Sequence, residues 1–183
     1  MAGSGRSRNP EPRIPHADEL GVLPAIEQRA GELLKGHEAY PVFAGHGLDL
    51  QALRDGLRRG QLWVVDDADG GGIAGYLLAG GLCGEFHVLQ MDVDPAHARR
   101  GHGRALLRHA LAMARTQGYR SAVLTTLADV PWNAPFYAGE GFVGLAQEEW
   151  GDGLQAVMAE EAALGFPMHL RVAMRRVLSS MDG

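Results

Sequence analysis

Apolar residues recur along this chain with two different periods, and the change of period marks out its elements. Between residues 14 and 36, Leu23, Ile26, Ala30, Leu33 and Leu34 fall three or four apart. That spacing lines one face of a helix, and Gly36 closes the run. Pro24 lacks a backbone donor and marks a kink or a fresh start inside the stretch. Residues 48–60 repeat the pattern with Leu50, Leu53 and Leu57 and also end on glycine. The pattern then turns strand-like. Residues 61–67 (QLWVVDD) and 73–82 (IAGYLLAGGL) predict two strands joined by an ADGGG turn, so 61–82 is expected to be a hairpin. A third strand is expected over 85–93 (EFHVLQMDV), stopped by Asp94-Pro95.

Helical spacing returns over 103–117 with Leu106, Leu107, Ala110, Leu111 and Ala114, closed by Gly118. A strand over 120–127, a short helix over 130–141, a strand over 142–150, a helix over 154–165 and a closing strand over 168–178 complete the expected series. The order is helices, an antiparallel meander, then strand–helix–strand–helix–strand. It predicts an α/β fold with a mixed sheet, antiparallel in its first half and crossed over in parallel in its second. No internal repeat or interdomain linker interrupts it. One domain over 13–178 is expected, with 1–12 as a disordered tail and 179–183 as a C-terminal tail.

Composition narrows the class. The 183 residues suffice for one full core. A hydrophobic share of 46% and a charged share of 21% are those of a soluble globular protein. The net charge of −5 argues against a nucleic-acid partner, which favours a basic excess. The single cysteine, Cys83, rules out an intramolecular disulfide and is expected to be a buried, inert strand residue. No apolar run approaches the ~18–20 residues of a membrane span. The N-terminal MAGSGRSRNPEPRIP lacks the apolar core of a secretory signal. A cytoplasmic location without a membrane partner is the expectation.

Against that acidic background, residues 95–110 (PAHARRGHGRALLRHA) stand out, with four arginines, three histidines and two glycines at the mouth of a helix. A helix N-terminus exposes unpaired N–H groups and a partial positive charge. Glycines let an anion reach the backbone. Arg99, Arg100 and Arg104 add fork-shaped donors suited to phosphate. A solvated basic loop is the bland alternative. A dinucleotide-binding loop fails at Leu106, where close helix–strand packing needs glycine or alanine, and no GK[ST] follows for a P-loop.

The same stretch resembles the pyrophosphate motif of the GNAT superfamily of N-acetyltransferases: Arg or Gln, two residues, Gly, one residue, then Gly or Ala. Here it reads Arg100, Gly101, His102, Gly103, Arg104, Ala105, after a V-D-P lead-in at 93–95. NAPFYAGEGF (133–142), about 30 residues on, is similar to the superfamily's second signature. The resemblance covers roughly residues 13–178. It implies a single GNAT-like domain in which acetyl-CoA, the cosubstrate, lies between two splayed parallel strands, 85–93 and 120–127. The backbone of Met91 and Val93, with Asp92 between them, would pair with the pantetheine arm. The loop from Arg99, and the N–H groups of 100–105 in particular, would hold the pyrophosphate. Asn133 would hydrogen-bond the pantetheine, and Tyr137 would sit near the sulfur. The amine attacks directly in a ternary complex, with a backbone N–H near Met91 for the oxyanion and the Tyr137 phenol as proton source for the thiolate. No covalent enzyme intermediate or metal is required. Dimerisation is common for this fold, but no residue here argues for it.

Strand alternation puts Glu85, His87, Leu89, Met91 and Val93 on one face if no bulge intervenes. His87 then occupies the position where several GNAT enzymes carry a glutamate base; Glu85 is its alternate, and Asp92 has the wrong parity. His97, His102 and His109 are read as phosphate-side or solvated rather than as a metal site, since no Cys or carboxylate joins their spacing. Trp63, Trp132 and Trp150 are expected in the core or a cleft wall. Arg54, Arg58 and Arg59 are expected on a solvated helix face, and Glu148 and Glu149 in an exposed turn. Two rivals remain: a non-catalytic acyl-CoA-binding domain of the same fold, and a nucleotide-dependent oxidoreductase.

Overall fold

The computed structural model describes residues 11–178. Residues 1–10 and 179–183, which hold most of the expected tails, lie outside the described residues. The first ordered tie is Arg13, which exchanges two backbone hydrogen bonds of 2.8 Å with Val64.

The expected first helix is broken into parts. A 3-10 turn over Ala17–Val22 leads into α1 (Leu23–Gly31), with Pro24 in its first turn, where a missing N–H costs nothing. A second 3-10 turn over Glu32–Leu34 ends the stretch. Next comes α2 (Tyr40–Gly45), a six-residue helix that the apolar spacing does not announce. Asp49 caps α3 (Leu50–Arg58) by accepting the Gln51 N–H. Leu53 of α3 is buried, while Leu50 is exposed.

Strands β1 (Leu62–Asp66), β2 (Ile73–Leu82) and β3 (Glu85–Val93) form the meander. The β2–β3 connection is the dipeptide Cys83-Gly84, with φ of 48° and 86°. Two positive φ values in a two-residue loop match the right-handed twist of the flanking strands. Cys83 is therefore an exposed turn residue, which corrects its reading as a buried strand cysteine.

Helix α4 (His102–Thr116) crosses over to β4 (Ser121–Leu127), followed by α5 (Ala134–Gly139), β5 (Val143–Gly144), α6 (Asp152–Leu164) and β6 (Arg171–Val177). The strand expected over 142–150 shrinks to two residues. Phe142 is drawn into the core, and Glu149 turns back to accept the Ala146 N–H at 2.8 Å, closing a 3-10 turn over Gln147–Glu149. Glu148 and Glu149 are exposed there, as expected.

The six strands run in the order β1-β2-β3-β4-β6-β5, and of their pairings only β3–β4 is parallel. One face packs under α4, through Leu106, Leu107, Ala110, Leu111 and Ala114 against Trp63, Leu77, Phe86 and Leu124. The other packs under α1 and α3 on one side and α6 on the other.

Candidate functional site

The β3–β4 ladder holds two Cα pairs, Phe86–Ala122 and His87–Val123. Beyond them β4 continues to pair with β6 as far as Leu127, and β3 with β2 as far as Val93. The sheet therefore opens into a gap between residues 88–93 and 124–127. Asp94 donates its N–H to Ala74 of β2 at 2.8 Å. In an antiparallel ladder, alternate residues point their backbone groups the same way. Asp92 and Gln90 thus face β2, and Met91 and Val93 turn their N–H and C=O groups to the gap.

The gap leads to the N-terminus of α4. Gly101 occupies the N-cap with φ 87°, and no side chain caps the helix. The first intrahelical bond there is Ala105 N–H to Gly101 C=O at 2.9 Å, which leaves the N–H groups of His102, Gly103 and Arg104 without intrahelical acceptors. A Cβ on Gly103 would meet Val93, Met91 and Phe136 at 3.6–3.9 Å, ordinary contact distances. Nothing among the described residues demands glycine at 103. Gly101, by contrast, needs its left-handed backbone.

Two of the three arginines read as phosphate donors, Arg100 and Arg104, hold carboxylate partners. Arg100 reaches back to Asp67 (3.0 Å) and Asp69 (3.2 Å) of the β1–β2 turn. Arg104 and Arg108 both bond the buried carboxylate of Glu140, at 2.8 and 2.7 Å. Arg99 is exposed with φ 61°. Here it is the backbone that turns towards the gap, while the guanidinium groups brace the loop.

Of the three histidines, His102 is buried and His97 and His109 are half-buried, so none is freely solvated. His102 is buried, neither ring nitrogen has a partner among the described residues, and its ring stands edge-on to His97. Burial lowers its pKa. His97 Nδ1 lies 3.2 Å from Asp67, and His109 stacks edge-on with Trp63. Trp63 is in the core, Trp150 is half-buried and Trp132 is exposed. Arg54, Arg58 and Arg59 form an exposed helix face as expected.

Asn133 occupies the N-cap of α5, and Tyr137 lies in the first turns of that helix. The Tyr137 ring is wedged between Phe136 and Phe142. Its hydroxyl makes no hydrogen bond among the described residues, and burial raises its pKa, with the charge of Asp92 adding to the shift.

Strand β3 carries the largest correction. Leu78 pairs with Gln90 but Ala79 with Val88, so Leu89 is an extra residue in a β-bulge. The β2 residues Tyr76, Leu78, Gly80 and Leu82 share one face, and their partners are Asp92, Gln90, His87 and Glu85. Met91 and Val93 fall on the α4 face with Val88 and Phe86. The bulge thus moves Asp92 into the company of His87 and takes Met91 and Val93 out of it.

On that face Asp92 Oδ2 accepts the Tyr76 hydroxyl at 2.7 Å and Gln90 Nε2 at 2.9 Å. Gln90 also donates to Glu27 of α1 at 2.8 Å. Burial pushes the Asp92 pKa up, and nearby Glu27 adds to it. His87 is 7% exposed, its ring makes no hydrogen bond among the described residues, and burial holds it below its usual pKa, which Glu161 and Glu85 partly oppose. Glu85 is committed elsewhere: it accepts from Ser121 and Arg175, both at 2.8 Å, at the closed end of the ladder. Across β4, Arg171 grips Glu161 of α6 at 2.6 Å and stacks over Phe166. Glu27, Gln90 and Tyr76 carry no sequence motif, and only the bulge register assembles them with Asp92.

Residues 58–144 match the acetyltransferase (GNAT) domain family. The fold is similar to three solved structures. An acetyltransferase of the GNAT family from Staphylococcus aureus superposes with a TM-score of 0.69 at 15% identity, over 93% of this chain and 99% of that one. The PaiA N-acetyltransferase of Thermoplasma acidophilum, solved with coenzyme A, gives 0.66 at 14% identity, over 92% and 98%. The ribosomal-protein-S18-alanine N-acetyltransferase of Escherichia coli gives 0.63 at 18% identity, over 95% and 96%.

Proposed function

We propose that this chain, whose residues 58–144 match the acetyltransferase (GNAT) domain family, is a GNAT N-acetyltransferase that moves an acetyl group from acetyl-CoA to a primary amine by direct attack within a ternary complex. The observation that carries the reading is the gap that opens beyond His87 and Val123 and runs into the uncapped N-terminus of α4. An extended pantetheine arm would bond the free backbone of Met91 and Val93 as a strand does. Its pyrophosphate would take the N–H groups of His102, Gly103 and Arg104, the anion site a helix start provides. Asn133 would bond the arm near the thioester.

At the reacting centre the backbone near Met91 would offer an N–H to the carbonyl oxygen as it becomes negative. Tyr137, its phenol without a partner among the described residues and kept protonated by burial, would return a proton to the departing thiolate. His87 stays neutral at working pH and lines the approach to the amine side, while Glu85, locked to Arg175, takes no part.

The test is calorimetry with coenzyme A followed by acetyl-CoA turnover, read as free thiol, against spermidine, lysine methyl ester and an alanine-leading hexapeptide. Micromolar binding with thiol release by at least one amine is expected. Binding without release for every amine would support the non-catalytic reading.

A further inference from the structure

The bulge at Leu89 changes which acid group can serve the amine. Sequence alternation leaves Asp92 on the wrong face, but the register pairs it with Tyr76 and places it beside Gln90 and His87. Asp92 is the residue between Met91 and Val93, whose backbone groups look into the gap. Its carboxylate is therefore one residue from the expected oxyanion donor. His87 is four residues from Met91, one of them in the bulge, or on the order of 10 Å at ~3.3 Å per residue. A general base must lie within a hydrogen bond of the proton it takes, or one water away. Distance favours Asp92.

The surroundings of Asp92 are built rather than incidental. One oxygen, Oδ2, is fixed by the Tyr76 hydroxyl and the Gln90 amide, and Gln90 is itself held by Glu27 at 2.8 Å. Glu27 is anchored in turn by the Leu48 N–H at 2.6 Å. The carboxyl is crowded by protein atoms yet keeps part of its surface open, as a group at the bottom of a cleft does. On the same face His87, more than nine-tenths buried, presents a ring with no protein partner. The free Oδ1 of Asp92 and the His87 ring share this face, with Glu27 of α1 near the first and Glu161 of α6 near the second.

We infer that Asp92 takes the proton from the acceptor's ammonium group, and that Gln90 and Glu27 hold it in place while helping to seat that cation. The inference rests on the acetyl-transfer reading. The ammonium proton passes to Oδ1 of Asp92, directly or through one water. The freed nitrogen lone pair forms a bond to the thioester carbon, and as the C–S bond breaks the nitrogen sheds its second proton to solvent. The thiolate takes the Tyr137 proton, and solvent re-equilibrates both side chains, so the net products are amide, thiol and one proton. The substrate class is an amine that arrives as a cation. The groups facing Asp92 are Glu27 from α1, Tyr76 from β2 and Gln90 within β3, with Tyr137 of α5 close enough to feel its charge. Burial and Glu27 both favour the protonated carboxyl, which makes Asp92 a stronger base than an ordinary aspartate.

Asp92→Asn keeps the shape and removes the base. With the best amine of the panel above, its kcat/KM should fall roughly 10²–10³-fold at pH 7. The deficit should shrink above about pH 10, where the amine is neutral without help. Coenzyme A affinity should be unchanged, because the Asp92 side chain stands on the α1 face of β3, where the amine would arrive, and the arm would bond the backbone of Met91 and Val93. A deficit equal at all pH values would assign Asp92 to architecture alone and overturn the inference, as would wild-type turnover. A pH-dependent loss found in His87→Gln instead would move the role to His87. If the wild type binds coenzyme A but acetylates none of the amines, the transfer reading fails, and a carbon-13 titration of the Asp92 carboxyl still decides this one. A midpoint above the usual carboxylate range is expected; a midpoint at or below about 4 overturns the inference.

Discussion

Tyr137 concentrates the question of what a single side chain does here. Its ring packs between two phenylalanines, which any core aromatic would do, but its hydroxyl has no protein partner. The hydroxyl is not sealed from solvent, so water or a visiting group can reach it. Tyr137→Phe keeps the packing and deletes the proton. Turnover is expected to fall roughly 10²-fold, equivalent to about 2.7 kcal/mol of barrier, with coenzyme A affinity nearly unchanged. Single-turnover acetyl transfer measured beside calorimetry checks both halves, and wild-type turnover would return the tyrosine to packing. The residues around it differ in how far the sequence reveals them. Tyr137 and Gly103 sit in motifs and can be singled out by reading. Asp92 cannot, because parity counting assumes an unbroken pleat and the extra Leu89 inverts it.

The elements that build the site are the start of α4 and the open edge of β3. At the helix start the prediction concerns Gly103. Valine forms helix somewhat better than glycine, and its Cβ has ordinary room at 3.6–3.9 Å from the neighbours. Gly103→Val should therefore melt within a few degrees of the wild type while coenzyme A affinity drops at least tenfold, since the new methyls would occupy the path of the pyrophosphate. Equal affinity in the folded variant would remove that anion from the helix start. Most elements were legible because each carries its own period and punctuation: β2 and β3 begin and end where turn residues bound them, and α4 starts at its glycines. Two were not. YPVFAG is too short to show a helical period, yet it folds as α2. FVGLAQEEW has strand-like residues, but the pull of Phe142 into the core and the Ala146–Glu149 turn leave two of them in the ladder. In both cases tertiary contacts decided what local preference left open.

At the scale of the whole molecule, ionisable groups define the pH window in which the fold holds. On the acid side Arg13 forks to both Glu19 and Asp66, tying the N-terminal segment to β1. The Arg13 bond is the main cause that holds Glu19 down at about 2. A depressed carboxylate stabilises the fold above its unfolded pKa and loses that contribution as pH falls, here between about 4.3 and 2. Glu19→Gln should melt lower than the wild type at pH 7 and lose less between pH 5 and 2. On the alkaline side Tyr76 and Tyr137 are both raised, chiefly by burial and further by Asp92. A raised phenol contributes fully below its unfolded pKa of about 10, and that contribution drains away as pH climbs past it, because the unfolded chain ionises first. Each buried tyrosine then removes about 1.4 kcal/mol per pH unit, or roughly 3–5 °C in Tm for a domain of this size. Melting curves from pH 8 to 11.5 should be flat to about 10 and then fall. In Tyr137→Phe the fall should be shallower by about one tyrosine's share, and an identical slope would mean that the phenol ionises freely within the folded protein.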